Sequence, residues 1–166
     1  MNPYQLLPIY QADKANDGWQ TADDRVMGGV SVAQLSERVV ENSRCRCLTG
    51  AVSLENRGGF IQMKWEMPKP FDATAFSGIY LDVWGNNESY NVHVRTGQLW
   101  LPWQSFRQSF QATPTWQTQY LPFSAFENYK TWSQLDVSGI TKVAIVAIGR
   151  AFQADVCVRG WGFYRV

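Results

Sequence analysis

Apolar and polar residues alternate with a period of two along most of this chain, and long helical periodicity is absent. Ile61, Met63 and Trp65 alternate with Gln62, Lys64 and Glu66, the pattern of a half-buried strand. Tyr90, Val92 and Val94 alternate with Asn91, His93 and Arg95 in the same way. So do Trp116, Thr118 and Tyr120 with Gln117 and Gln119, while Phe106, Gln108 and Phe110 face opposite to Ser105, Arg107 and Ser109. Ile79–Trp84 and Val143–Ile148 are apolar nearly throughout and rich in β-branched residues, which reads as central strands covered on both faces. Turn-forming clusters separate these runs at Asn56–Gly59, Gly85–Ser89, Ala112–Pro114, Asp136–Gly139 and Arg159–Gly160. Short helical pieces are expected only around Pro3–Ala12 and Ser124–Tyr129. The sum is an all-β sandwich of roughly eight to ten strands.

Two glycine pairs interrupt this rhythm. Asp23-Asp24-Arg25-Val26-Met27-Gly28-Gly29-Val30-Ser31 joins acids, a base and paired glycines beside an apolar run, and Gly58-Gly59 precedes Phe60. Glycine weakens a strand unless φ must be positive or something approaches the backbone closely. Gly28, Gly29, Gly58 and Gly59 are therefore structural glycines. The first segment is expected to be a strand with a bulge or sharp bend, with charged groups at its mouth. Asp24 and Arg25 are either a buried ion pair or the lining of a binding site.

Bulk properties narrow the function. The 166 residues fit one domain, residues 1–166. Fifteen basic and fourteen acidic residues give a net charge of +1, with no overall charge to draw nucleic acid or an anionic membrane. No apolar run is long enough for membrane insertion. The odd count of three cysteines, with Cys45 and Cys47 two apart on one strand face, argues against a disulfide framework. Together with an N-terminus that lacks the basic and apolar regions of a signal peptide, this points to the cytoplasm.

The chemistry-bearing residues do not assemble into a catalytic motif. His93 is the sole histidine, lies mid-strand on the polar side, and reads as an ordinary hydrogen-bonding residue. Cys-x-Cys is not the spacing of a structural zinc site, and no cofactor or metal is expected. Asp13, Asp17, Asp23 and Asp24 cluster in sequence without the spacing of a calcium loop. Neither glycine pair opens a helix, so a phosphate-binding loop is not indicated. Glu55, Glu66, Asp82 and Asp24 supply carboxylates, but no motif pairs them for sugar hydrolysis. Leu99-Trp100-Leu101-Pro102-Trp103 is the best candidate for exposed aromatic surface, because the proline holds the segment extended.

Trp19 followed by Asp24-Arg25-Val26-Met27-Gly28-Gly29-Val30-Ser31 resembles the signature of the CIA30 domain, the complex I intermediate-associated protein 30 family. Gly58-Gly59-Phe60, then Trp116 with Leu121-Pro122-Phe123-Ser124-Ala125-Phe126, then Ile140–Gly149 with Phe152 and Phe163, follow in the family's order. The turn Gly85-Asn86-Asn87-Glu88 lacks the family's Asp, second Gly and basic residue. The resemblance implies a jelly-roll β-sandwich of the galactose-binding-domain-like type. It also implies a non-enzymatic assembly factor or chaperone-like protein for a respiratory or other electron-transfer complex, whose protein partner is a subunit of a membrane-associated complex. Asp24, Arg25, Ser31, Arg95, Trp100 and Trp103 are then the candidate contacts. The alternative that shares this architecture is a carbohydrate-binding module. It would stack sugars on Trp100, Trp103 or Tyr90 and hydrogen-bond them through Asn91 and Arg95.

Overall fold

A computed structural model describes residues 3–14 and 16–166. Its strands are β1 (Gln5–Gln11), β2 (Trp19–Asp23), β3 (Gln34–Val40), β4 (Ser43–Val52), β5 (Phe60–Phe71), β6 (Gly78–Gly85), β7 (Glu88–Thr96), β8 (Ser105–Ala112), β9 (Gln117–Pro122), β10 (Glu127–Tyr129), β11 (Ile140–Ile148) and β12 (Phe152–Arg165). They form two antiparallel sheets. The first runs β3-β4-β12-β6-β9, with β1 also on β12; the second runs β10-β8-β7-β11-β5-β2. Among the described residues, no helix is long and apolar enough to cross a membrane.

The alternating residues face inward as their period requires. Ile61, Met63, Tyr90, Val92, Val94, Ile145, Leu81, Val83, Trp161 and Phe163 are almost fully buried and share one core between the sheets. Trp65 meets Trp19 and Trp161 edge to face within it, with ring centroids 5.4 and 6.0 Å apart. The apolar run Ile140–Ile148 is the β11 strand at the middle of the second sheet, so its outward residues Ala144 and Val146 are buried as well.

Several expectations are corrected. The helix expected over Pro3–Ala12 is instead the strand β1 along β12; Pro8 is tolerated because β1 is an edge strand whose register shifts just after it. Ser124–Tyr129 holds only the end of a 3-10 turn, Phe123–Ala125, followed by β10. Arg159–Gly160 is a bulge within the long β12, not a turn; β4 pairs with the strand before it and β1 with the strand after. Thr118 and Tyr120 point outward, and Tyr120 packs against Tyr164 while Leu121 faces the core opposite Ile79. The bend at Asp24 is a 3-10 turn, Asp24–Met27, outside either sheet.

The cysteines also depart from expectation. Cys47 and Cys157 lie directly opposite each other on β4 and β12 and form a disulfide across 110 residues. Cys45 is the free thiol, buried, with its sulfur 3.7 Å from that of Cys47. Sequence neighbours two apart do not bond; the partner is brought in by strand pairing.

Candidate functional site

One glycine of each pair, Gly29 and Gly58, lies against Asp24, while Gly28 and Gly59 take positive φ. The Asp24 side chain is fully buried and accepts hydrogen bonds from Ser31 N at 2.9 Å, Ser31 Oγ at 2.5 Å, Gly59 N at 2.5 Å and Phe60 N at 3.2 Å. Burial pushes this carboxyl up, but the bonds from Ser31, Gly59 and Phe60 outweigh it and hold the group below its ordinary range. A Cβ at Gly29 or at Gly58 would overlap the carboxylate. Ser31 extends the clip, since its hydroxyl accepts from Ser53 N at 2.8 Å. The loop after β2 and the loop before β5 are thereby locked together.

This geometry settles the two readings of the acidic–basic motif. Arg25 does not pair with Asp24. Its guanidinium binds Asp23 through Nε and Nη2, both at 2.9 Å, and remains largely exposed. The Asp23 carboxyl is held low first by that bond, against burial, with help from the Ala33 and Arg25 backbone N–H groups. Asp24 and Ser31 are buried and present no surface to a partner. Tyr90 is likewise no stacking platform: its ring lies in the core, and its hydroxyl donates to Asn86 and accepts from Asp155 N. Asn91 lies on the outer face of the second sheet and lines a separate depression with Arg107 and Ser109.

The accessible residues converge elsewhere. A cleft of ≈ 290 Å³ opens on the outer face of the second sheet. Its floor is Gln62, His93, Lys142 and Val146 from three adjacent strands. One end is closed by Met27, Arg57 and Gly58 from the two loops that Asp24 clips together. The other is closed by Trp103 and Gln104, with Tyr129 and Lys130 alongside. Arg95 anchors the Trp103 side, donating to Leu101 O at 2.8 Å and Gln104 O at 2.5 Å. Of the exposed aromatics, Trp100 is 92% exposed and Trp132 100%. They lie on neighbouring loops tied by Gln98, whose side chain binds Gln134 O and Asp136 N.

Electrostatically the cleft is one-sided. Arg57, Arg95, Lys130 and Lys142 line it, and no carboxylate does. Among the described residues, none of these four cations is in an ion pair closer than 4 Å, and Glu66, the acid that acts on Lys142, is engaged by Lys64 at 3.2 Å. Burial pushes the Lys142 ammonium down to about 8, and the neighbouring Lys64 and Arg95 push the same way against Glu66.

His93 touches a hydroxyl here: its Nδ1 lies 3.2 Å from Ser105 Oγ. Its ring also meets Tyr129 edge-on at 5.5 Å, and Nε2 is buried without a partner. Burial, then Arg107 and Lys142, push the imidazole down to about 3. So weak a base activates a hydroxyl poorly, and among the described residues no carboxylate holds the second ring nitrogen as a nucleophilic triad requires. The carboxylates are no better placed for hydrolysis, because Asp82 pairs with Arg159 on the first sheet's outer face and Glu66 lies on the second sheet's.

Three of the four acids considered for calcium are engaged, Asp17 by Arg46 at 3.2 Å and Asp23 and Asp24 as above. Among the described residues, the group whose ligating atoms converge is Cys45, Cys47 and Cys157, of which two are bonded to each other.

Of the candidate contacts singled out from the sequence, Arg95 and Trp103 line this cleft; Lys142, Arg57, Ser105 and Tyr129 line it too, and neither they nor the exposed Trp132 were singled out as site candidates. Lys142 carried one signal, a lone cation at an outward position of a strand apolar from Val143 onward.

A family model described as complex I intermediate-associated protein 30 (CIA30) matches residues 9–155. Among curated proteins nothing matches. Solved structures with this fold include a family 11 carbohydrate-binding module from Clostridium thermocellum in complex with a beta-1,3-1,4-mixed-linked tetrasaccharide. It has a TM-score of 0.76 at 11% identity, over 96% of this chain and 94% of that one. The family 11 module of a cellulosomal cellulase of the same organism gives 0.77 at 11%, over 96% and 93%. A family 30 carbohydrate-binding module gives 0.64 at 11%, over 98% and 86%. At such identity the likeness establishes the fold, a jelly-roll sandwich of the galactose-binding-like type.

Proposed function

The chain belongs to the complex I intermediate-associated protein 30 family, and from that membership and the cleft we propose that it is a non-catalytic binding module serving as an assembly factor for a multisubunit complex. Its working surface is the outer face of the second sheet and the adjoining tryptophan loops. The observation that carries this reading is the pair of almost fully exposed indoles, Trp100 and Trp132, on loops fixed to each other beside a cleft of unpaired cations. Trp and Arg anchor protein interfaces out of proportion to their number, and a monomeric surface rarely leaves large apolar groups together. The partner is a subunit caught before its own contacts are made. The complex is respiratory or another electron-transfer assembly, in keeping with the family.

Capture of the tagged chain from its native extract under mild salt, with mass spectrometry, tests this. Unassembled subunits of a single complex are expected, and they should be lost from the Trp100→Ala, Trp132→Ala variant with its melting temperature unchanged. Capture of no such subunit overturns the reading.

A carbohydrate ligand is the second reading. The family 11 and family 30 neighbours favour it, as does the Trp103 indole facing a cleft of polar side chains. Tryptophan fluorescence unmoved by mixed-linked glucan oligomers would remove it.

A further inference from the structure

From its donors and its missing acceptors, we infer that the cleft between Arg57, Lys142 and Trp103 binds an acidic peptide segment, with glutamate or aspartate side chains among apolar neighbours. The inference rests on the reading above that the partner is a protein.

The lining is rich in donors and poor in acceptors. Arginine and lysine only donate. His93 has one nitrogen against Ser105, and when that hydroxyl donates to Nδ1, the ring proton sits on Nε2, which has no partner. Of the two side-chain amides, Gln104 already spends its carbonyl oxygen on the N–H groups of Trp100 and Leu101, at 3.3 and 3.1 Å, which leaves the carbonyl oxygen of Gln62 as the amide acceptor. A neutral sugar presents hydroxyls that both donate and accept, and its donors would find few acceptors here. A uronic acid meets the same obstacle at every ring hydroxyl. An ionised carboxylate side chain only accepts, so it leaves nothing unpaired.

Charge points the same way. Lys142 is held among Lys64 and Arg95, partly shielded from water, with Glu66 turned to Lys64. One acid shared among three cations leaves positive charge in excess, and a carboxylate entering the cleft offsets it. The remaining walls are apolar, Met27 and Phe60 at one end and Pro102 and Trp103 at the other. They suit apolar residues that alternate with acidic ones along an extended peptide, whose side chains point to opposite sides in turn.

Titration calorimetry at physiological salt compares three probes on the full chain. They are a short, end-blocked peptide alternating glutamate with leucine and phenylalanine, its glutamine counterpart, and an oligogalacturonate. The glutamate peptide is expected to bind at least about tenfold more tightly than either other probe. Lys142→Gln and Arg57→Gln should each weaken it about tenfold or more, while Lys69→Gln, an exposed cation outside the cleft, leaves it unchanged. Thermal melts confirm that each variant folds. Equal or tighter binding of oligogalacturonate, no binding of the glutamate peptide, or binding indifferent to Lys142→Gln overturns the inference. If those failures occur while native subunits are still captured through Trp100 and Trp132, the assembly reading stands and only the acidic segment falls.

Discussion

Oδ2 of Asp24 accepts the backbone N–H of Gly59 at 2.5 Å, joining two loops 35 residues apart in the chain. The same oxygen takes Ser31 Oγ and Phe60 N, and Oδ1 takes Ser31 N, so both oxygens act only as acceptors. Asp24→Asn must therefore turn an amide NH2 toward backbone N–H groups whichever way it is flipped. It is expected to cost about 3 kcal/mol, read by chemical denaturation at neutral pH. Gly58→Ala, which drives a Cβ into the carboxylate, should cost about 2 kcal/mol. Because the folded carboxyl is held below its ordinary value, its contribution is complete above that value and lost as pH falls through the folded one. Asp24→Asn should thus show a shallower loss of stability in acid than the wild type. A variant as stable as wild type would mean the clip does not hold the loops.

That clip also shows what was legible in the sequence. The glycine pairs announced a close approach, but the group that approaches is Asp24 itself, folded back on its own loop and reaching Gly59 through tertiary contact. Period-two strands such as Ile61–Trp65 were plain because their pattern is local. Pro8 hid β1, since a proline is excluded from central strands yet allowed on an edge, and nothing local shows which strand is an edge. The cleft was least legible. Gln62, His93 and Lys142 meet only because β5 and β7 both pair with β11, and strand order is not written in any one strand.

Lys142 should cost the fold stability. Its ammonium is depressed from 10.5 to about 8, so at pH 7 the folded state carries a charge it disfavours. The sign follows: stability from this group is complete above the ordinary value and lost as pH falls through 8. Lys142→Met is expected to raise stability at pH 7 by about 1 kcal/mol, after discounting for partial exposure. The difference between variant and wild type should shrink as pH rises from 8 toward 10, measured by urea denaturation. A destabilised variant would show that the side chain has a structural partner.

His93 predicts a second pH dependence. Its folded value is about 3 against an ordinary 6.5, so the unfolded chain binds a proton that the folded chain refuses. Stability from this group is complete above 6.5 and lost as pH falls toward 3. Between pH 7 and pH 5 the loss is about 2 kcal/mol. His93→Gln, which keeps a donor and acceptor beside Ser105, should flatten that part of the stability profile. An unchanged slope would place the acid sensitivity in another group.

The disulfide makes a prediction that a thiol count decides. Cys47 and Cys157 are bonded and Cys45 is free. Protein purified without reductant, then denatured and treated with a thiol reagent, should therefore react at a single cysteine, and at all three after reduction. Closing a loop of 110 residues limits the unfolded chain. Reduction should accordingly lower stability by about 2–4 kcal/mol, and Cys157→Ala should reproduce the loss. Cys45→Ala deletes a buried sulfur and leaves the bond intact, so its denatured form should show no reactive thiol until reduced. Three reactive thiols in the unreduced wild type would mean that the two strands hold Cys47 and Cys157 together without joining them.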